Sequence, residues 1–350
     1  MIKSRFSLKD VAKEAEVSSA TVSRYLNGTL HLPDRTSSRI DAAVKKLKYY
    51  PNPHARRLSL GKSDMIALIL PDIANPFFAK LAASIELAAA HCKSMVSLHA
   101  TFNQGARELA VLKRAAQDRV DGVIFMTNRL PSEAVAEELN SFARVVLLDE
   151  DVPGVLAPRL LCDNKLGGVL AGRHLNDAGH QDVAYFGGGR DLKSTQTRLA
   201  GLRAGLSKAG STIQEPNLFV GEHSIASGRK LAKQFLEQSG NETAIFSGSD
   251  EITIGILEIF KECGIRIPSD FSVISFDNAR SLHLFSPPIT SVRQPVDDLG
   301  ARAVDILFSD AWEQADYRQL IEIMPVNLIE RSSVMSPANN KKTGKLLSQK

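Results

Sequence analysis

The chain is poor in cysteine: Cys92, Cys162 and Cys263 are its only three in 350 residues, far apart and odd in number. A disulfide scaffold needs paired cysteines, and a structural metal site needs ligands at short spacing. The three thiols are therefore expected to be reduced and packed. The eight histidines include no pair at metal-binding spacing, so no metal is assigned. No apolar run reaches the length of a membrane span, and Met1-Ile2-Lys3-Ser4-Arg5 leads into a capped helix rather than an export signal. A cytoplasmic protein with no membrane partner is expected. Catalytic signatures are missing too: there is no GxxxxGK[ST], no GxSxG and no HExxH. Gly187-Gly188-Gly189 follows a strand, but the next glycine of a dinucleotide-binding turn is replaced by Leu192. No enzyme is expected and no cofactor is assigned.

What is present begins with Ser7 to Leu26, SLKDVAKEAEVSSATVSRYL. Leu8, Val11, Ala12 and Ala15 recur at helical spacing behind Ser7 and Asp10, an S-x-x-D capping pair. A turn through Glu16 and Val17 follows, and Ser18 can cap a second helix that buries Val22 and Leu26. Ser19, Ala20, Ser23 and Arg24 are left on the opposite face. This is a helix-turn-helix pattern, although any small helical hairpin has the same apolar spacing. Asn27-Gly28 ends the second helix. Asp34 is read as the cap of a third, with Ile40, Val44 and Leu47 on one face and Arg35, Arg39, Lys45, Lys46 and Lys48 elsewhere. Beyond Tyr49-Tyr50-Pro51, Asn52 as N-cap, Pro53 at the first position and Gly61 at the stop delimit a two-turn helix, marginal alone in water.

Charge follows the same division. Residues 1–62 hold thirteen Lys and Arg against five Asp and Glu, whereas residues 63–336 hold twenty-six against thirty-four; the last fourteen add four lysines and no acid. A basic head on an acidic body attracts phosphates and releases counterions, which points to DNA.

After residue 62 short apolar strands alternate with amphipathic helices. The strands are Met65–Leu70, Val96–Ala100, Gly122–Met126, Val145–Asp149, Val183–Phe186, Ala244–Ser247 and Ser272–Phe276. The helices are Ala79–Ala90, Glu108–Ala116, Gly167–Asp177, Leu199–Ala209, Gly228–Gln238 and Ile252–Cys263. The pattern predicts parallel sheets with helices on both faces, and the number of units predicts two sheets. Ligands in such folds bind beyond the carboxyl ends of the strands. Asp72, Asn75, Asp149, Asp250 and Asp277 stand at those ends; Arg198 offers a fork of donors, and Phe77 or Phe78 an apolar cover. Carboxylates that accept paired hydroxyls suit a small polyhydroxylated ligand. Each such aspartate can equally cap the helix that follows it.

These segments, LKDVAKEAEVSSATVSRYLNG, YYPNPHARRLS, PDIANPFFAKL, TRLAGLRAGL, FSGSDEITIGIL and ISFDNARSLHLFSPPITSVRQP, in this order, resemble the lac repressor/galactose repressor family of bacterial transcription regulators. The resemblance spans nearly the whole chain. It implies a small all-α helix-turn-helix head (1–50), a hinge helix (51–62), a periplasmic-binding-protein-like α/β core (63–336) and a basic tail (337–350). The core would divide into an N-subdomain of about 63–163 and 293–321 and a C-subdomain of about 164–292 and 322–336. DNA contacts would come from Ser7, Ser18, Ser19, Ala20, Thr21, Ser23, Arg24 and Asn27, and from Asn52, His54, Ala55, Arg57 and Leu58 of the hinge, with Leu58 wedged into a base step.

The same resemblance implies that Arg198 and Asp277 contact an effector and that His223 stands where a stacking aromatic is common. Ser249 replaces a common asparagine. The expected protein is a homodimeric repressor of a pseudo-palindromic operator, governed by a sugar or sugar derivative. Helix Ala79–Ala90, with Leu81, Ile85 and Leu87, is the candidate for part of the dimer contact, with ordinary core packing the equal alternative. The alternatives are a sugar-binding transport or sensor protein with the same core, and a nucleotide-using enzyme with a basic extension.

Overall fold

The computed structural model describes residues 6–50, 63–207, 217–238, 240–314 and 316–337. The expected hinge helix, with Asn52, Pro53, His54, Ala55, Arg57, Leu58 and Gly61, lies outside the described residues, as does the tail after residue 337. The chain forms two compact units, Met1–Asp64 and Met65–Lys350.

The first unit contains helices α1 (Leu8–Glu14), α2 (Ser19–Leu26) and α3 (Asp34–Lys46). The Ser7 amide donates to the Asp10 carboxylate at 2.7 Å, and Ser18 Oγ accepts from the Thr21 amide at 3.0 Å, so both helix starts are capped. Glu16, in the left-handed region at φ 50°, makes the turn between α1 and α2. Val11, Ala15, Val22 and Ile40 form the buried centre, with Leu26, Val44 and Leu47 packed around it. Arg39 reaches Glu16 at 2.8 Å and Lys46 reaches Glu14 at 2.7 Å. Two of the basic residues of α3 thus tie it to the end of α1 and to the turn that follows. Asp34 is the first residue of α3 rather than its cap; Pro33, with φ −57°, occupies the cap position and already turns the chain into the helix.

In the second unit one sheet runs, in spatial order, through Ile321–Met324 (β11), Arg159–Cys162 (β5), Val145–Leu148 (β4), Gly122–Phe125 (β3), Met65–Leu70 (β1) and Met95–Ala100 (β2). The other runs through Asn327–Ile329 (β12), Thr290–Arg293 (β10), Ser272–Asp277 (β9), Ala244–Ser247 (β8), Val183–Gly187 (β6) and Leu218–Val220 (β7). All neighbouring strands are parallel except β12, which is antiparallel to β10.

Helices α4 (Pro76–His91) and α11 (Val296–Phe308) share an apolar cluster with one face of the first sheet, through Leu81, Ile85, Leu299 and Val304 against Ile66, Leu68 and Ile124. On its other face α5 (Gly105–Gln117) and α6 (Glu133–Ser141) bury Leu112 and Leu139 against Ile69 and Phe125. The second sheet is covered likewise by α7 (Asn164–Asp177) and α8 (Lys193–Leu206), and by α9 (Ile225–Gln238) and α10 (Asp250–Glu262). Strands buried on both faces read as continuous apolar runs, as in Met-Ile-Ala-Leu-Ile-Leu of β1.

The chain crosses between the two lobes at Asp163, after β5, at Gln294-Pro295, after β10, and at Pro325-Val326, between β11 and β12. Ile321–Met324 pairs along its length with Arg159–Cys162, so the last crossing falls after Met324, a few residues beyond the approximate boundary at 321 that the family resemblance implied. Leu81 and Ile85 of the expected dimer helix are fully buried core residues; only Leu87 is exposed, at 62%. No helix among the described residues is long and apolar enough to cross a membrane.

Candidate effector cleft and nucleic-acid interface

The carboxyl ends of both sheets face each other across one cleft. Asn75, Phe77, Phe78, Asn128 and Asp149 line it from the first lobe, Ser194, Arg198, His223, Ser249 and Asp277 from the second, and Gln294 from a crossing. These side chains leave about 20 Å³ between them, space for about one water. A ligand of sugar size therefore requires the lobes to part.

Arg198, 4% exposed, is held on three sides. Its Nε donates to Asn164 Oδ1 at 2.7 Å, Nη1 donates to the Gly248 carbonyl, and the guanidinium carbon lies 3.7 Å from the centroid of the Phe276 ring. The head is thus pre-oriented, with Nη2 left to a ligand. Asp277 ends β9 at φ 87° and accepts from Gln294 Nε2 at 2.6 Å; burial raises its pKa and Arg198 opposes the rise. Asp149 follows β4 at φ 74°. Burial, countered by Arg198 and reinforced by Asp277 and Glu150, pushes its carboxyl up to about 7, and its Oδ1 has no hydrogen-bond partner. Burial and then Arg198 push His223 down to about 3, so the imidazole is neutral, with Nδ1 unpartnered. Its Nε2 would stand 2.1 Å from a Cβ at Gly188. Gly188, the middle residue of the glycine triplet, therefore makes room for His223.

Behind the cleft, Glu150 of the first lobe sits at the N-terminus of α8 in the second. It accepts from Ser194 Oγ at 2.5 Å and from the Lys193 and Ser194 amides at 3.1 and 3.2 Å. Burial raises its pKa while the Ser194 bonds lower it. A carboxylate at this position is favoured by the orphan amides and the helix dipole.

In the first unit, Ala20 and Arg24 of α2 are exposed, and Ser19, Thr21, Ser23 and Asn27 are half-buried around them. Ser7 and Ser18 are exposed, but each is engaged in capping: Ser7 Oγ donates to Asp10 at 2.8 Å, and Ser18 Oγ pairs with Thr21 Oγ1 at 2.8 Å.

Residues 7–52 match the bacterial regulatory proteins of the lacI family, and residues 173–334 match a periplasmic binding protein-like domain. The HTH-type transcriptional repressor PurR of Erwinia tasmaniensis is 33% identical over 93% of this chain and 96% of its own length. The chain belongs to the lacI family. Among solved structures, the lac repressor bound to ONPG in the repressed state is similar at 26% identity and TM-score 0.75, over 94% of this chain and 99% of that one. The complex of the transcriptional regulator CelR with cellobiose matches at 25% identity and TM-score 0.68, over 94% and 100%. This lacI-family chain is a transcriptional regulator with a DNA-binding helix-turn-helix and an effector-binding core.

Within the lacI-family core, Asn75, Phe77, Phe78, Asp149, Arg198, His223 and Asp277 are brought together as the sequence suggested. Two expected residues are not. Asp250 receives Ser275 Oγ at 2.9 Å and the Ala279 amide, so it braces the turn after β9 behind the cleft. Asp72 accepts from the Ala74 amide at 2.9 Å and shapes the turn before α4 without lining the cleft. Both do what aspartates after strands most often do, fixing the next backbone segment. Asn128, Ser194 and Gln294 were missed. Asn128 follows β3 at a strand end, as Asp149 follows β4; Ser194 lies in a polar first helical turn and Gln294 in a crossing, neither of which periodicity marks.

Proposed function

We propose that this protein is a cytoplasmic, homodimeric repressor that binds a pseudo-palindromic operator through Arg24 and the rest of the exposed face of α2. A neutral polyhydroxylated effector, a sugar or sugar derivative, sets its operator affinity. The carrying observation is that a pinned Arg198 lines one cleft with Asp149 and Asp277 where the two lobes meet. One cation facing two carboxylates disfavours an anionic ligand and favours hydroxyls, which donate to the carboxylates and accept from the guanidinium. The neutral His223 adds an uncharged partner at Nδ1.

Ligand in the cleft bridges residues of both lobes and stabilises one lobe orientation. The effector acts on DNA binding to the extent that the two orientations differ in operator affinity, a coupling free energy. In a dimer, that difference arises from the spacing of the two heads. A thermal-shift screen of the full chain against neutral sugars, sugar phosphates, nucleosides and purines tests the reading, since a ligand of the folded form raises stability by mass action. Neutral sugars are expected to stabilise and to change operator anisotropy. Stabilisation only by sugar phosphates or by purines overturns it.

A further inference from the structure

Asn128 enters the cleft from the turn after β3, outside any regular element. Its side chain has no hydrogen-bond partner among the described residues, so its place in the cleft depends on the backbone that carries it. Both of its neighbours are tied to one carboxylate. Thr127 Oγ1 donates to Glu108 Oε1 at 2.8 Å, and Arg129 Nη1 donates to Glu108 Oε2 at 3.0 Å. The Thr127 hydroxyl also accepts from the Arg129 amide at 3.3 Å, which closes the turn around Asn128. Glu108 lies in the first turn of α5 and is fully buried, and Thr127 is buried beside it. Gly105, at the start of the same helix, leaves the guanidinium its space: a Cβ built there would stand 2.5 Å from Arg129 Nη1.

A buried carboxylate is costly to desolvate and persists where donors answer its oxygens. Here the two donors come from the residues on either side of Asn128. We propose that Glu108 is a positioning residue for effector recognition, one that clamps Thr127 and Arg129 and so aims Asn128 into the cleft. This deepens the reading of a polyhydroxylated effector and rests on it, since a primary amide can both donate to a hydroxyl and accept from one. A carboxylate also grips a guanidinium and a hydroxyl more firmly than a neutral acceptor does. Glu108 itself does not line the cleft, so it reaches a ligand only through the turn. Were it merely an anchor of α5 against the sheet, its loss would lower stability without acting through Asn128.

A double-mutant cycle on the full chain tests this. Glucose, galactose, ribose and cellobiose are titrated calorimetrically into the parent, Glu108→Leu, Asn128→Ala and the double variant. Leucine fills the place of the glutamate and buries neither charge nor acceptor. For a sugar that binds the parent, Glu108→Leu should weaken binding about tenfold, the worth of one or two hydrogen bonds, but less than about twofold once Asn128 is alanine. Glu108→Gln, which keeps an acceptor for Arg129 and can donate to Thr127, should stay within about threefold of the parent. Hydrogen exchange without ligand gives a second readout: Glu108→Leu should speed exchange of the Arg129 amide about tenfold and leave the amides of β3 protected. Unchanged exchange at Arg129, unchanged binding, or equal weakening in both backgrounds overturns the positioning role. Binding by none of the four sugars overturns the sugar reading alone, and exchange at Arg129 still decides the clamp.

Discussion

Gln294 donates its side-chain amide to Asp277 at 2.6 Å, so a residue of the crossing between lobes holds a carboxylate of the cleft. Its Oε1 accepts from Cys162 Sγ, also at 2.6 Å, at the end of β5 beside another crossing. Two of the three crossings and one cleft-facing group thus share a single buried side chain, 3% exposed. Parting the lobes must strain or break these bonds, and a ligand that engaged Asp277 would be felt at the crossings directly.

Gln294→Leu keeps the volume and removes both bonds. It leaves a buried carboxylate oxygen without its donor, which costs roughly 1–3 kcal/mol. Urea unfolding should report that loss, and the effector dissociation constant should rise about tenfold. Unchanged stability together with unchanged effector affinity would show that the tie carries no energy.

Asp149 makes stability depend on pH. Its folded value of about 7 lies above the ordinary 3.8, so the folded state favours the protonated form. The contribution is fully present below about pH 4 and is lost as pH rises to about 7. Asp149→Asn, neutral at every pH, should therefore gain stability over the parent across that interval. Each pH unit is worth about 1.4 kcal/mol at most, and in a cleft partly open to water the plateau should be about 2 kcal/mol. Parallel melting curves from pH 4 to 8 measure the difference; a variant that runs parallel to the parent throughout contradicts the raised value.

Most of this architecture was legible in the sequence because a doubly covered parallel strand leaves an uninterrupted apolar run: Met65–Leu70 and Ala244–Ser247 were placed to the residue. Short edge strands left less trace. Leu218–Val220 and Asn327–Ile329 are three residues each, and Ile321–Met324 alternates exposed isoleucines with half-buried partners. Helix starts were read late, α8 at Leu199 instead of Lys193, because the first turn is polar where it meets Glu150 and the cleft. Periodicity is lost where side chains serve the site. Among the cleft residues, Arg198 and Asp277 were found by family resemblance as well as by chemistry. Asp250 and Asp277 look alike in sequence, and only their surroundings distinguish a brace from a group that faces the cleft.

Helices α7 and α8 meet backbone to backbone. A Cβ on Gly201 would stand 2.1 Å from the Lys165 carbonyl oxygen, and one on Gly168 would stand 2.2 Å from that of Arg198. Gly201→Ala must push α8 from α7 and carry Arg198 away from Asn164. Overpacking of this kind costs about 1–3 kcal/mol or more, and effector binding should be lost with it. Gly189→Ala, where the nearest atom is Leu192 Cγ at 3.9 Å, is the tolerated control. Equal melting temperatures for the two variants would refute the contact.

Arg24 is exposed on α2, flanked by the short Ala20 and Ser23. An arginine there has the reach for two bonds to a guanine edge, which its small neighbours lack. Arg24→Ala should weaken operator binding by roughly 1–3 kcal/mol and relax preference at one base pair per half-site. An equal loss on operator and random duplex would make Arg24 a phosphate contact.

Glu150 and Ser194 give the last prediction, because they separate charge from shape. Burial raises the Glu150 carboxyl against the pull of the Ser194 bonds, so its environment resists the charge even as α8 uses its oxygens. A glutamine brings no charge to bury, keeps one carbonyl oxygen for the Lys193 and Ser194 amides, and can donate its NH2 to the Ser194 hydroxyl, which turns to accept. Alanine leaves the hydroxyl and both amides unanswered in a buried place, costing roughly 1–3 kcal/mol. Glu150→Ala should therefore lower stability at pH 7 and enlarge the effector-free core in small-angle scattering as the lobes part. Glu150→Gln should stay close to the parent on both measures. If glutamine opens the lobes as far as alanine does, the carboxylate's charge holds them, and the hydrogen-bonding account of the contact is wrong.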